Sequence, residues 1–193
     1  MKIGIFGGSF NPPHNMHKNI ALELIQKGYL DTAIYVPTGD KYDKKDLIEF
    51  KHRLNMVKLM IDEYDNLLVS DIGNNENYQY TYQVLDYFRS IYSDDDIYFI
   101  CGSDNLKYFD TWMKYQYVLE YYKLLVIKRN GDNIDDILNK YSNYIENIII
   151  SNISENQVSS TNIRDNIDDN VVNENLDKKV YTYIKRNKIY EKR

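Results

Sequence analysis

Lys2-Ile3-Gly4-Ile5-Phe6-Gly7-Gly8-Ser9-Phe10-Asn11-Pro12-Pro13-His14-Asn15-Met16-His17 is the stretch on which the fold turns. A short apolar run meets two glycines, two prolines stiffen the loop, and a helical pattern follows. That is a strand, a loop and a helix start. Glycines let the backbone turn sharply and come close to a phosphate. His14 and His17, three apart, share a face of the helix. Imidazole N–H groups and the free N–H groups of a helix start both suit an anion. Either histidine alone fits equally well a solvated or capping side chain on an ordinary strand–turn–helix. Gly4, Gly7 and Gly8 do not have G-x-G-x-x-G spacing, and no Gly-Lys-Ser/Thr ending makes this a P-loop.

Working outward, short apolar runs alternate with helical patterns. Strands are expected at Lys2–Phe6, Ala33–Val36, Leu67–Ser70, Ile97–Cys101, Leu124–Lys128 and Ile148–Ser151. Most show no polar/apolar alternation, as strands covered on both faces should not. Helices are expected at Asn15–Lys27, closed by Gly28, and at Leu47–Tyr64, with Phe50, Leu54, Val57, Met60 and Ile61 on one stripe. Others are expected at Thr81–Ser90, Ile134–Tyr141 and Leu176–Lys185. Asn162–Asn175 is polar and acidic and reads as a short helix and a surface loop. The order implies an α/β fold, a Rossmann-like doubly wound parallel sheet, in a single domain over 1–193. Ligands in such sheets sit beyond the carboxyl ends of the strands.

The 193 residues suffice for one such domain with a sizeable core. A net charge of −5 speaks against nucleic acid as a partner, which would call for a basic face. No apolar run is long enough for a membrane span, and the start, running straight into a glycine turn, does not read as a signal peptide. One cysteine, Cys101, excludes an internal disulfide framework and a multi-cysteine metal site. A cytoplasmic protein is expected, with no metal site of its own. Homo-oligomerisation is left open.

Near the other end stands Val158-Ser159-Ser160-Thr161-Asn162-Ile163-Arg164. A Ser/Thr cluster before a short helix offers N-cap oxygens and free backbone N–H groups. Arg164 adds a permanent cation with several donors. Alone, this is an ordinary N-cap beside a surface arginine.

Together, Gly7-Gly8-Ser9-Phe10-Asn11-Pro12 with His14-x-x-His17 and Ser159-Ser160-Thr161-x-Ile163-Arg164 resemble the two phosphate motifs of the HxGH nucleotidyltransferase superfamily. Within it the chain resembles the nicotinate (nicotinamide) mononucleotide adenylyltransferases. The resemblance spans nearly the whole chain. It implies adenylyl transfer from ATP to a pyridine mononucleotide, nicotinate mononucleotide first, with pyrophosphate released and Mg²⁺ carried by the ATP phosphates. His14, His17 and Arg164 would be catalytic. ATP would meet Gly7, Gly8, Ser9, Phe10, Ser159, Ser160, Thr161 and Ile163, with Gly102 and Asp104 from Cys101-Gly102-Ser103-Asp104. Asn11 would face the acceptor. Met16 stands where the family usually has glycine, and a side chain there is expected to narrow the space over the phosphates.

Tyr80-Thr81 and Leu85 match the family's acceptor segment, while Gln83 and Val84 do not. The resemblance gives Thr81 the pyridine substituent; a helix cap explains it equally well. Trp112, the single tryptophan, offers a flat indole for stacking, the next N–H, at Met113, could hold a carboxylate or carboxamide, and core packing is the plainer use of the indole. Arg129 ends a strand where the family has an arginine near the ligand. In Pro37–Lys45 the family's His-Lys pair is missing, and Lys41 is taken as the phosphate contact. His52-Arg53 is expected to be structural. Alternatives are transfer to another phosphorylated acceptor such as phosphopantetheine, or a non-catalytic nucleotide-binding regulator.

Overall fold

Every expected strand is present, and all six join one parallel sheet. They are β1 (Lys2–Gly8), β2 (Thr32–Pro37), β3 (Leu67–Val69), β4 (Asp96–Gly102), β5 (Lys123–Lys128) and β6 (Ile148–Ser154). Their spatial order is β3-β2-β1-β4-β5-β6. In register, Ile5 of the central β1 lies opposite Ile34 of β2 and Phe99 of β4. The structure, a computed structural model, describes residues 1–41, 44–154, 158–167 and 174–191.

Alternate strand residues feed two cores, which is why the strands lack a polar face. Ala33, Tyr35, Tyr98, Ile100, Leu125 and Ile127 enter one core. There they meet α1 (Asn15–Gln26), α2 (Phe50–Ile61), α7 (Ser160–Asp165) and α8 (Lys178–Arg186). Ile34, Val36, Ile97, Phe99, Leu124 and Val126 point the other way. They pack against α3 (Thr81–Ile91), α4 (Ser103–Lys107), α5 (Tyr115–Tyr121) and α6 (Ile134–Asn139). α4 and α5 are too short to show periodicity and were not expected.

α1 ends where Gly28 takes φ 73°. α2 is shorter than its pattern suggested. The Phe50 N–H donates to Asp40 Oδ1 at 2.6 Å, so a loop carboxylate sets its start. Its buried residues are Phe50, Arg53, Met56, Val57, Met60 and Ile61, with Leu54 only half-buried. Within Asn162–Asn175, residues 168–173 lie outside the described residues, as do Tyr42 and Asp43 of the Pro37–Lys45 loop. No helix among the described residues is long and apolar enough to cross a membrane.

Candidate active site

β1 and its loop form the floor of the site. Gly7 and Gly8 do not make the turn that their type suggested. Both stay in the strand, opposite Val36 and Pro37 of β2. The chain turns instead at Phe10, which adopts φ 45°, followed by a cis Asn11–Pro12 bond. Phe10 is held in that strained region by burial. Its ring packs edge-on against His17, Phe6 and Tyr35. The absence of a side chain on Gly8 makes room for it, since a Cβ there would lie 3.0 Å from the Phe10 ring.

The loop delivers His14 as the N-cap of α1. Its backbone N–H donates to Nδ1 of His17 at 3.2 Å, and the two rings lie 3.8 Å apart. Burial, then the charge of Arg129, lowers the His14 pKa to about 4. Burial, then the charges of His14 and Arg129, lowers His17 well below the usual histidine range. Both rings are therefore neutral near pH 7. His17 lines the main cavity; His14 lies behind it, 3% exposed, with a buried Nδ1 that has no hydrogen-bond partner.

The second motif closes on the first. Ser159 caps α7 by accepting from the Asn162 N–H at 3.1 Å. Ser160 Oγ donates to Pro12 O at 2.9 Å, and Arg164 Nη1 donates to Asn11 O at 2.7 Å. Residues separated by most of the chain thus share one wall. Ile163 is buried in the core. Its side chain holds α7 down, so only its backbone is available to a ligand.

The cavity is about 880 Å³ and opens at the carboxyl ends of β1, β2, β4 and β5. Gly7, Gly8, Ser9, Phe10, His17, Lys41, Gly102 and Ser160 line it, together with Thr81, Trp112, Met113 and Arg129. His14, Asn11, Asp104, Ser159, Thr161, Ile163 and Arg164 do not line it directly. Asn11 is 1% exposed, and its carboxamide is engaged at both ends: Nδ2 donates to Asp46 O at 2.8 Å, and Oδ1 accepts from the Tyr190 hydroxyl at 2.7 Å. That leaves its side chain bracing the loop rather than facing an acceptor. Asp104 lies in the first turn of α4, after the Gly102 cap, and its carboxylate accepts from Arg129 Nε at 2.6 Å.

Met16 does not narrow the site. Its side chain packs against the core beside the sheet and is absent from the cavity wall.

In the loop after β2, Lys41 lines the cavity but pairs with exposed Glu76. Lys44 lies nearer the phosphate loop, donating to Ser9 Oγ at 2.8 Å. Partial burial, then the charges of Arg164 and Arg53, lowers its pKa, so three cations share this end of the site. Lys44 was not singled out in the sequence, because nothing local distinguishes it from Lys41. Arg53 is structural, as expected. Wholly buried, it donates through Nε to Ile48 O at 2.8 Å and through Nη1 to Thr38 O at 2.6 Å and Ser9 O at 3.1 Å. His52 Nδ1 lies 2.9 Å from the Tyr183 hydroxyl, tying α2 to α8.

At the far end, Trp112 is half-buried, its ring tilted on Phe109 with centroids 4.8 Å apart. Its backbone N–H donates to Phe109 O at 3.0 Å. Thr81 is the first residue of α3 after the Tyr80 N-cap. Tyr80 N–H is satisfied by Gln83 Oε1 at 3.0 Å, so Gln83 has a local job at the helix start. The 3-10 turn Ile72–Asn74 forms the remaining wall, and Gly73 packs so closely on Pro37 O that a Cβ would lie 2.2 Å from it.

The wider likeness agrees with this geometry. The cytidylyltransferase-like family model matches residues 5–166. A protein of Acholeplasma laidlawii, named "Probable nicotinate-nucleotide adenylyltransferase", is 35% identical over 97% of this chain and 96% of its own length. A protein of the same name in Clostridium acetobutylicum is 36% identical over 98% of both. In fold, the chain superposes on Plasmodium falciparum nicotinic acid mononucleotide adenylyltransferase complexed with NaAD, with a TM-score of 0.83 at 21% identity, covering 98% of this chain and 97% of that one. With full-length relatives at this identity and both phosphate motifs facing one cavity, the chain belongs to the nicotinate-nucleotide adenylyltransferase family.

Proposed function

We propose that this protein transfers the adenylyl group of ATP to nicotinate mononucleotide. The observation that carries the reading is the convergence of His17, Gly7, Gly8 and Ser160 on one cavity wall, with Thr81 and Trp112 on the same cavity. An oxygen of the acceptor's 5′-phosphate attacks the α-phosphorus of ATP in line. A P–O bond forms there, and the bond to the bridging oxygen breaks, releasing pyrophosphate. Such a reaction asks for positioning and charge stabilisation. His17 donates from Nε2 to the α-phosphate, and Arg164 and Lys44 neutralise the leaving phosphates, with His14 fixing His17 from behind. Trp112 carries the pyridine ring, and the Thr81 hydroxyl and Met113 N–H face its substituent. Mg²⁺ is held by the ATP phosphates. Such a cation keeps waters and substrate oxygens as ligands. The reaction is placed in the cytoplasm, where its ATP is.

Pyrophosphate release with ATP, Mg²⁺ and a panel of acceptors tests the reading. Turnover is expected with nicotinate mononucleotide and not with phosphopantetheine. Turnover with phosphopantetheine alone, or nucleotide binding without turnover, overturns it.

A further inference from the structure

The C-terminal turn reaches back across the whole chain to the phosphate loop. After α8 the backbone passes through left-handed conformations at Lys188 (φ 51°) and Tyr190 (φ 65°). Between them Ile189 is buried, its N–H donating to Ile184 O at 3.0 Å. A bulky residue at positive φ is costly and persists only where its surroundings demand it. Here Ile189 anchors the turn, and the turn aims Tyr190 inward. Its hydroxyl donates to Asn11 Oδ1 at 2.7 Å, a contact between residues 179 apart in sequence.

Asn11 is the point where three parts of the site are tied together. Its Nδ2 reaches Asp46 O in the loop that carries Lys44, and its carbonyl accepts from Arg164 Nη1. Tyr190 supplies the third tie. The χ2 torsion of a primary amide is broad and roughly two-fold, so which end lies where is set by the partners of its oxygen and its NH₂. With the hydroxyl in place, Oδ1 is held toward Tyr190, and Nδ2 is turned toward Asp46. Burial keeps the Tyr190 hydroxyl protonated, against the opposing pull of Arg164 and Arg53, so it remains a donor throughout the working range.

We infer that Tyr190 is a positioning residue for adenylyl transfer, acting through Asn11 to hold Arg164 and the Lys44 loop in the geometry the triphosphate needs. Tyr190 does not line the cavity and touches no substrate. The inference rests on the adenylyl-transfer reading given above.

Tyr190→Phe keeps the ring and its packing and removes only the hydroxyl. The expected result is a fall in kcat of about twofold to tenfold, the scale of one lost charge-free hydrogen bond felt at the transition state. The melting temperature should fall by several degrees, because Asn11 Oδ1 is left buried without its donor, so kcat is compared at a temperature where both proteins are fully folded, and KM for ATP should change less than kcat. A second measurement repeats the change in an Asn11→Ala background, where the Tyr190→Phe effect should vanish because the intermediary is gone. Wild-type kcat in Tyr190→Phe, or a full-sized additional loss in the Asn11→Ala background, overturns the inference. If Asn11→Ala does not fold, the single variant decides alone. Absence of pyrophosphate release from the wild-type protein would instead strike the adenylyl-transfer reading, so the two failures are distinct.

Discussion

The His14 backbone N–H donates to Nδ1 of His17 across 3.2 Å, with the two rings 3.8 Å apart. A backbone N–H can only donate, so Nδ1 must accept, and the neutral ring carries its proton on Nε2. The helix cap thereby sets the tautomer, and burial keeps the ring uncharged. In the proposed reaction His17 would serve as a fixed donor whose charge does not have to change. His17→Ala should lower kcat by at least ~100-fold, the usual cost of one such transition-state donor. The fold should persist, as judged by an unchanged circular dichroism spectrum. Near-normal pyrophosphate release from the variant would remove His17 from the mechanism.

The same burial makes stability depend on pH. His14 falls from the ordinary 6.5 to about 4, by burial first and the Arg129 charge second. Between those values the unfolded chain binds the proton and the folded one does not. Stability is thus complete above pH 6.5 and declines as pH drops toward 4. The shift is equivalent to about 3 kcal/mol for this group. Urea denaturation at pH 7 and pH 4.5 should show a smaller pH-dependent loss in His14→Gln than in wild type. Equal losses in the two proteins would count against a neutral buried His14.

Arg53 ties the loop after β1 to the loop after β2 by donating to Ser9 O and Thr38 O. Arg53→Met fills similar space and leaves those carbonyls without donors, at about 1–3 kcal/mol for each one left buried. Lysine cannot replace the planar fork. Both Arg53→Met and Arg53→Lys should lower the urea midpoint markedly, with methionine not rescued by ATP. A midpoint within error of wild type for either variant would show that the loops hold without this side chain.

Much of this was legible in the chain itself. The six strands were readable because two-sided burial demands continuous apolar runs such as Leu124–Ile127, and both phosphate motifs were readable as motifs. The contacts that give them geometry were not. Nothing near Phe10 says that it, rather than Gly7 or Gly8, makes the turn, since that depends on the aromatic pocket of Phe6, Tyr35 and His17. The inward engagement of Asn11 depends on Tyr190, at the opposite end of the sequence. Met16 was misread because helix phase, not residue type, decides that it faces the core. Lys44 differs from Lys41 only in where a folded loop carries it.

The turn at Gly73 offers a local probe of the cavity wall beside β2. A Cβ at this position would lie 2.2 Å from Pro37 O, a backbone atom that cannot swing aside. Gly73→Ala must therefore part the two loops, at about 1–3 kcal/mol of strain. KM for both ATP and the acceptor should rise severalfold, because Pro37 pairs with Gly8 at the end of β1 and parting it from the turn disturbs the wall beside the phosphate loop. Unchanged constants for both substrates would show that the turn yields without moving the cavity wall.

Acceptor choice follows from the donors at the far end of the cavity. Thr81 and Met113 line the same cavity as Trp112, whose indole is already fixed against Phe109 and Phe99. Trp112 thus offers a preorganised surface for a pyridine ring, with little ordering left to do on binding. An O–H and an N–H directed at one substituent favour a carboxylate, because ionised acceptors form the stronger hydrogen bonds. A carboxamide presents one acceptor oxygen and an NH₂ that meets a donor, a mismatch of about 1–3 kcal/mol. Nicotinate mononucleotide should therefore exceed nicotinamide mononucleotide in kcat/KM by roughly tenfold to a hundredfold. Trp112→Ala should weaken both acceptors alike, since stacking does not distinguish acid from amide. Thr81→Val removes one of the two donors while keeping the side chain's shape, and should narrow the gap between them. Steady-state constants for both mononucleotides, measured on the wild type and the two variants, decide the matter. Equal constants in the wild type, or a preference for the amide, would remove Thr81 and Met113 as the selecting pair while leaving the phosphate chemistry at His17 untouched.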